Sequence, residues 1–269
     1  MRKGGIKGRS LRGVKHGAPG GIGEPRRLER RRPGKAMATA TATMKSEPRQ
    51  RPIVIGLLGG IAGGKSAVAR LLAARGALVL DADAFAHEAL AEPAVRRELL
   101  ERHGHAIARA SGSDREPPEL DRRAVARVVF ADAEHRRHLE GLIHPRVRDR
   151  IERGLAAAVA DEARPAVVLD VPLLLESSPF ADRCDLLLFV DTPDAARRER
   201  AAKVRGWDGG EIARRDATQW SAARKRAVAD VVLDNSGSEG DLGRQVDQWL
   251  QTVGGFAALA RRERPPPAP

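Results

Sequence analysis

The chain has 269 residues and carries 48 Lys and Arg against 36 Asp and Glu, a formal net charge of +12. Hydrophobic residues make up 42% of it, which excludes wholesale disorder and supplies a core for one large domain or two small ones. No apolar run approaches the ~20 residues of a membrane span, the absence of Tyr leaves few platforms for stacking nucleobases, and a single cysteine, Cys184, excludes an intramolecular disulfide and fits a reducing, cytoplasmic location.

Residues 1–50 hold fourteen Lys and Arg and three Asp and Glu, so nearly all of the net charge belongs to them. Their Gly, Arg, Pro, Ala and Thr content, without an apolar period, reads as a disordered basic extension. No apolar segment follows the charges as in a secretory signal, and Gly and Pro interrupt the amphipathic helix of a transit peptide. The tail is either an arm for polyanions or an extension without a task, and Met37 and Met44 are alternative starts. No specific nucleic-acid partner is expected.

Residues 53–58 form the first expected strand, apolar on both faces like a central parallel strand. It runs into Gly59-Gly60-Ile61-Ala62-Gly63-Gly64-Lys65-Ser66, the pattern G-x-x-x-x-G-K-[ST], followed by a helix over 65–74. Glycines let the backbone curl and bring the N–H groups from Gly60 through Ala67 round a phosphate. The helix start adds its positive dipole end. Lys65 reaches the β- and γ-phosphates, and the Ser66 hydroxyl sits on Mg²⁺.

A second strand over 77–80 ends in Asp81-Ala82-Asp83, and a helix over 84–90 carries His87 one turn beyond Asp83. Helices are expected at 94–103 and 120–130, with a polar loop at 111–118 between them. Two more, 133–143 and 146–160, are split at His144-Pro145, because proline pushes the residue before it out of the α region. A strand at 166–170 exits through Val171-Pro172-Leu173-Leu174-Leu175-Glu176, and another at 186–190 ends at Asp191. Pro193 starts a helix loaded with Arg197, Arg198, Arg200, Lys203 and Arg205, and Gly206-Trp207-Asp208-Gly209 breaks it. Short helices at 211–219 and 221–228, a strand at 231–233, a closing helix at 242–259 and a Pro-rich end complete the chain.

Alternating strands and helices predict an α/β fold with a doubly wound parallel sheet. The helical insertion after the second strand reads as a substrate subdomain. Ligands in such folds bind beyond the carboxyl ends of the strands, where the glycine loop, Asp81, Asp83, the 170–176 segment and Asp191 converge. Asp83 is the candidate base for an attacking hydroxyl, and Asp81 is either a helix cap or an outer-shell Mg²⁺ partner. The arginine-rich helix is either a solvated face or a lid over a triphosphate. His144 with Arg148 faces an anionic substrate or simply packs, and His87 is a substrate contact or a plain helix position. No His or Cys spacing suggests zinc.

Taken together, the glycine loop, Asp81-Ala82-Asp83 with His87, His144-Pro145 with Arg148, Asp170 through Glu176, Arg200 with Arg205, Gln219, and Ala229-Asp230-Val231-Val232-Leu233-Asp234-Asn235-Ser236-Gly237 resemble the dephospho-CoA kinase family. The resemblance implies a P-loop kinase with a helical CoA subdomain and a small lid. It implies transfer of the ATP γ-phosphoryl group to the ribose 3′-hydroxyl of dephospho-CoA, with Mg²⁺; separately, a monomer or weak homo-oligomer is expected. Its expected division is a kinase domain over 51–262, with core 51–90 and 164–192, CoA subdomain 91–163, lid 193–220 and C-terminal core 221–262, before a tail at 263–269. By matching position, Asp83 is the base, Lys65 and Arg200 act on the phosphates, Arg200, Arg205 and Asn235 join the nucleotide site, and His87, His144, Arg148, Leu173 and Leu174 join the substrate site. The choice of lid arginine stays open between Arg200 and Arg205, because the spacing from Pro193 is one residue longer than the family's. Ala62-Gly63 stands where the family often has Gly-Ser, and Leu58 where it often has Thr. The alternatives are another small P-loop kinase acting on a nucleotide or nucleoside, and a nucleic-acid-associated protein with a nucleotide switch.

Overall fold

The computed structural model describes residues 51–109, 117–161 and 163–261, apart from the side chains of Phe130 and Arg205. The basic extension, most of the polar loop and the Pro-rich end lie outside the described residues. Five strands, β1 (Ile53–Gly59), β2 (Leu78–Asp81), β3 (Ala166–Asp170), β4 (Leu186–Asp191) and β5 (Val231–Asp234), pair in the order β2-β3-β1-β4-β5. All pairs are parallel, with Ile55 against Val168 on one side and Leu186 on the other.

Both faces of the sheet are covered, as parallel sheets require. Ile53, Ile55 and Leu57 of β1 pack with α1 (Lys65–Ala73), α9 (Glu239–Val253) and α10 (Gly255–Ala260) through Val68, Leu72, Leu242, Val246 and Phe256. Val54 and Leu58 point the other way, toward Ile151 and Ala158 of α5 (Ala133–Ala160), the 174–180 segment and the neighbourhood of α8 (Ala222–Val228). Gly56 leaves room for that packing: a Cβ there would come within 2.7 Å of both Leu174 and the buried Cys184. A third cluster joins α2 (Ala82–Leu90), α3 (Pro93–His103), α4 (Arg122–Ala131) and the first half of α5 around Ala89, Val95, Leu99, Val125 and Ile143.

Three expectations change. First, α5 runs unbroken through Pro145. An interior proline costs a helix ~3 kcal/mol, but Ile143 and Ile151, on either side, are buried in two different clusters that only a continuous helix serves together. Arg146 also spans the break, donating to the Leu142 carbonyl at 2.7 Å and to Glu92 at 2.8 Å, and Arg150 holds the same Glu92 at 2.7 Å. Second, the closing helix is two helices, because Gly254 and Gly255 both take φ +78. Third, α2 begins at Ala82, since Asp81 Oδ1 accepts from the Asp83 N–H at 2.9 Å and the Ala84 N–H at 3.1 Å.

Candidate active site

β1 delivers Gly59 to the carboxyl edge of the sheet, and α1 starts six residues later at Lys65. Between them Ala62 (φ +55) and Gly64 (φ +83) turn the chain through the left-handed region. For Ala62 that costs ~1–2 kcal/mol, so the loop curls where the family's glycine would curl it without that cost. The Gly63 N–H donates to the Gly60 carbonyl at 3.1 Å, closing the curl. Gly60, Ile61, Ala62, Gly63, Gly64, Lys65, Ser66 and Ala67 run from this curl into the N-terminus of α1; the Gly63 and Ala67 amides bond inside the loop, Ala67 to the Gly64 carbonyl at 3.0 Å, and a glycine loop opening a helix in this way suits a phosphate chain.

Asn235, just past β5, is buried, and its Nδ2 donates to the Gly63 carbonyl at 3.1 Å and to Thr192 Oγ1 at 3.3 Å. Its side chain therefore supports the loop from outside. Arg200 lies on α6 (Asp194–Arg205) and reaches the same place: its Nη2 is 3.5 Å from the Asn235 carbonyl, and a Cβ on Gly64 would lie 3.5 Å from its Nη1. Arg205 ends α6, and its side chain lies outside the described ones.

The acids arrive from the neighbouring strands. Asp170 ends β3 and is only 7% exposed, with Ser66 Oγ donating to its Oδ2 at 3.5 Å. Burial pushes the Asp170 carboxyl above the ordinary carboxylate range, the Lys65 ammonium pulls it back, and the charges of Asp81 and Asp83 raise it further. Lys65, Ser66, Asp81, Asp83 and Asp170 thus form one electrostatic neighbourhood. Asp170 was legible only as part of a motif; an acid closing a fully buried strand next to the loop strand is the signal that marks it. Asp81 is the cap of α2. Asp83 is exposed, and its carboxylate takes no hydrogen bond from the described residues.

His87 is exposed on the same face of α2 as Asp83, and His144 and Arg148 are exposed one turn apart on α5, which packs against α2. Leu173 is half-buried with φ +52. Leu174 is in the core under Gly56, so its side chain faces the sheet and only its backbone is free to meet a substrate.

Among the described residues no group of three or more His, Cys, Asp and Glu is arranged to hold a metal. The Ser66 hydroxyl and the Asp170 carboxylate are hard oxygen donors beside the loop, the short donor set that Mg²⁺ takes when phosphates and water complete its shell. A cleft of about 930 Å³ opens between Arg51, Arg164 and Arg261 at the amino ends of β1 and β3, the edge opposite the loop and away from where such folds bind ligands. No described helix is long and apolar enough to cross a membrane.

A family model described as dephospho-CoA kinase matches residues 53–241. The dephospho-CoA kinase of Parasynechococcus marenigrum is 44% identical over 189 residues, covering 70% of this chain and 90% of that protein. That of Rhodopirellula baltica is 38% identical over 222 residues, covering 81% and 98%. The crystal structure of TT1252 from Thermus thermophilus superposes with a TM-score of 0.59 at 36% identity, over 76% of this chain and all of that one. A dephospho-CoA kinase from Campylobacter jejuni, at 21% identity and a TM-score of 0.54 over 74% and 96%, shares the fold. A phosphate loop with acids from two adjacent strands, and a family match that spans both, lead to one conclusion: the chain belongs to the dephospho-CoA kinase family.

Proposed function

We propose that this chain transfers the γ-phosphoryl group of ATP to the ribose 3′-hydroxyl of dephospho-CoA, yielding coenzyme A and ADP. The observation that carries the reading is the meeting of the glycine loop with Lys65, Ser66, Asp83 and Asp170 at the carboxyl ends of β1, β2 and β3. The loop amides hold the triphosphate. The 3′-oxygen attacks the γ-phosphorus as the bond to the β,γ-bridging oxygen breaks, and the hydroxyl proton passes to the Asp83 carboxylate. Lys65 and Arg200 stabilise the charge gathering on the transferred group. Ser66 and Asp170 would hold Mg²⁺, which supplies neutralisation of the β- and γ-phosphate oxygens.

The helical cluster of α2–α5 supports a division into core and CoA subdomain, with His87, His144, Arg148 and Leu173 as contacts to the acceptor. The α6–α7 hairpin is the lid, α7 being Gly209–Asp216, and the reach of Arg200 to the Asn235 carbonyl beside the loop supports it as the phosphate arginine. An ADP-release assay on the purified chain tests the reading. Turnover is expected with dephospho-CoA, with a product heavier by one phosphoryl group. Faster turnover with AMP, UMP or a nucleoside would overturn it.

A further inference from the structure

The back of the phosphate loop is held by side chains that the reaction itself does not use. Three alternate loop carbonyls each accept a donor from outside the loop. Lys225 Nζ lies 3.3 Å from the Gly59 oxygen, Arg197 Nη1 lies 3.2 Å from the Ile61 oxygen, and Thr192 Oγ1 lies 2.7 Å from the Gly63 oxygen, where Asn235 also donates. The donors come from α8, from α6 and from the residues just after β4 and β5.

In a trans peptide the carbonyl of one residue and the N–H of the next point to opposite sides. Fixing the oxygens of Gly59, Ile61 and Gly63 to the rear therefore turns the N–H groups of Gly60, Ala62 and Gly64 away from those donors. The strained φ of Ala62 sits at the middle of this pattern, so the side chains outside the loop help to hold a backbone turn that alanine by itself disfavours.

Two of the donors are buried cations. Arg197 is 9% exposed and Lys225 4%. Burial works against the Arg197 charge, but Asp216 and Asp194 more than offset it. Asp216 takes two bonds, at 3.2 and 3.0 Å, and Asp194 takes bonds from Nε at 3.2 Å and Nη2 at 2.5 Å. The guanidinium lies so close to the loop that a Cβ on Gly60 would come within 2.6 Å of Nη1. Burial pulls the Lys225 ammonium below its ordinary value, and Glu176 at 3.2 Å, with Gln219 Oε1 at 2.8 Å, offsets part of that. With Gly60, both cations border a pocket of about 300 Å³ behind the loop. A cation on a carbonyl polarises the whole peptide unit and makes its N–H a stronger donor.

We infer that Arg197, Lys225 and Thr192 are positioning residues for the nucleotide, aiming the Ala62, Gly60 and Gly64 amides from behind while the phosphates bind in front, the two cations also polarising theirs. This rests on the reading of the loop as the ATP site. The test is equilibrium binding of MgATP to the full chain, with steady-state kinetics in parallel. Arg197→Gln is expected to weaken ATP binding about tenfold and to raise KM for ATP by a similar factor, leaving KM for dephospho-CoA within about twofold. Arg197→Lys recovers part of the loss. Thr192→Val removes one rear donor at nearly constant shape and is expected to weaken ATP binding about threefold or more. A general loss of packing would lower stability without singling out ATP. The inference is overturned if both Arg197→Gln and Thr192→Val melt cooperatively and bind ATP within about twofold of the parent. If Arg197→Gln does not fold, Thr192→Val decides alone. A parent chain that binds no ATP, with Lys65→Ala indistinguishable from it, fails the loop reading itself and takes this inference with it.

Discussion

At the scale of residues, two carboxylates share one neighbourhood in opposite solvation. Asp83, the proposed base, is exposed at the start of α2. Asp170 is buried beside Ser66, and burial disfavours its ionised form more than Lys65 restores it. Their substitutions should therefore behave differently. Asp83→Asn is expected to cut kcat by about 10²–10⁴, the usual contribution of a general base, with ATP affinity nearly unchanged in equilibrium binding. Asp170→Asn should also cut turnover, yet raise the melting temperature of the nucleotide-free protein at neutral pH. The sign follows from the raised carboxyl: the protonated form stabilises the fold below the unfolded pKa, and that contribution is lost as pH rises through the folded one. The stability gap between Asn and Asp should thus be widest at neutral pH and should close as pH falls below the ordinary carboxylate range. Thermal melts from pH 3 to 8 measure it; a gap independent of pH would detach the effect from ionisation.

At the scale of elements, local signals were sound where the backbone alone decided and failed where distant packing did. The first strand, the loop and the start of α1 stand where their residues put them, because Val, Ile and Leu followed by Gly and then Lys-Ser contain their own strand, turn and helix start. The break at Gly206 is likewise local, with φ +65 ending α6. Pro145 is the opposite case. Its local preference is to end a helix, but burial of Ile143 and Ile151 in separate clusters, with Arg146 and Arg150 gripping Glu92, holds α5 together. At the end of the sheet layer, the apolar period of 242–259 concealed two left-handed glycines. Gly254→Ala should cost about 1–2 kcal/mol, since the residue keeps φ +78 and its new Cβ lies 3.0 Å from that of Ala258. Urea unfolding should show a lower midpoint with an unchanged slope.

At the scale of the whole molecule, charge and structure are separate. Nearly all of the net charge lies in residues 1–50, whereas the strands, the loop and the acids lie beyond them. Deleting residues 1–43 is therefore expected to leave kcat/KM for ATP and dephospho-CoA within about twofold and to abolish salt-sensitive retention on a polyanion column. Loss of turnover in that deletion would tie the tail to the reaction. By itself the sequence determined the glycine loop and the alternation of strands and helices, because each is written in a window of about ten residues whose backbone preferences agree. Only the tertiary structure decided that Asp170 is desolvated beside Ser66, that Leu174 faces the sheet, that Arg200 stands at the loop, and that Arg197 and Lys225 grip its back. Those outcomes depend on contacts between residues more than a hundred positions apart, and burial, unlike helix or strand periodicity, leaves no local trace of which distant side chain will come to rest against it.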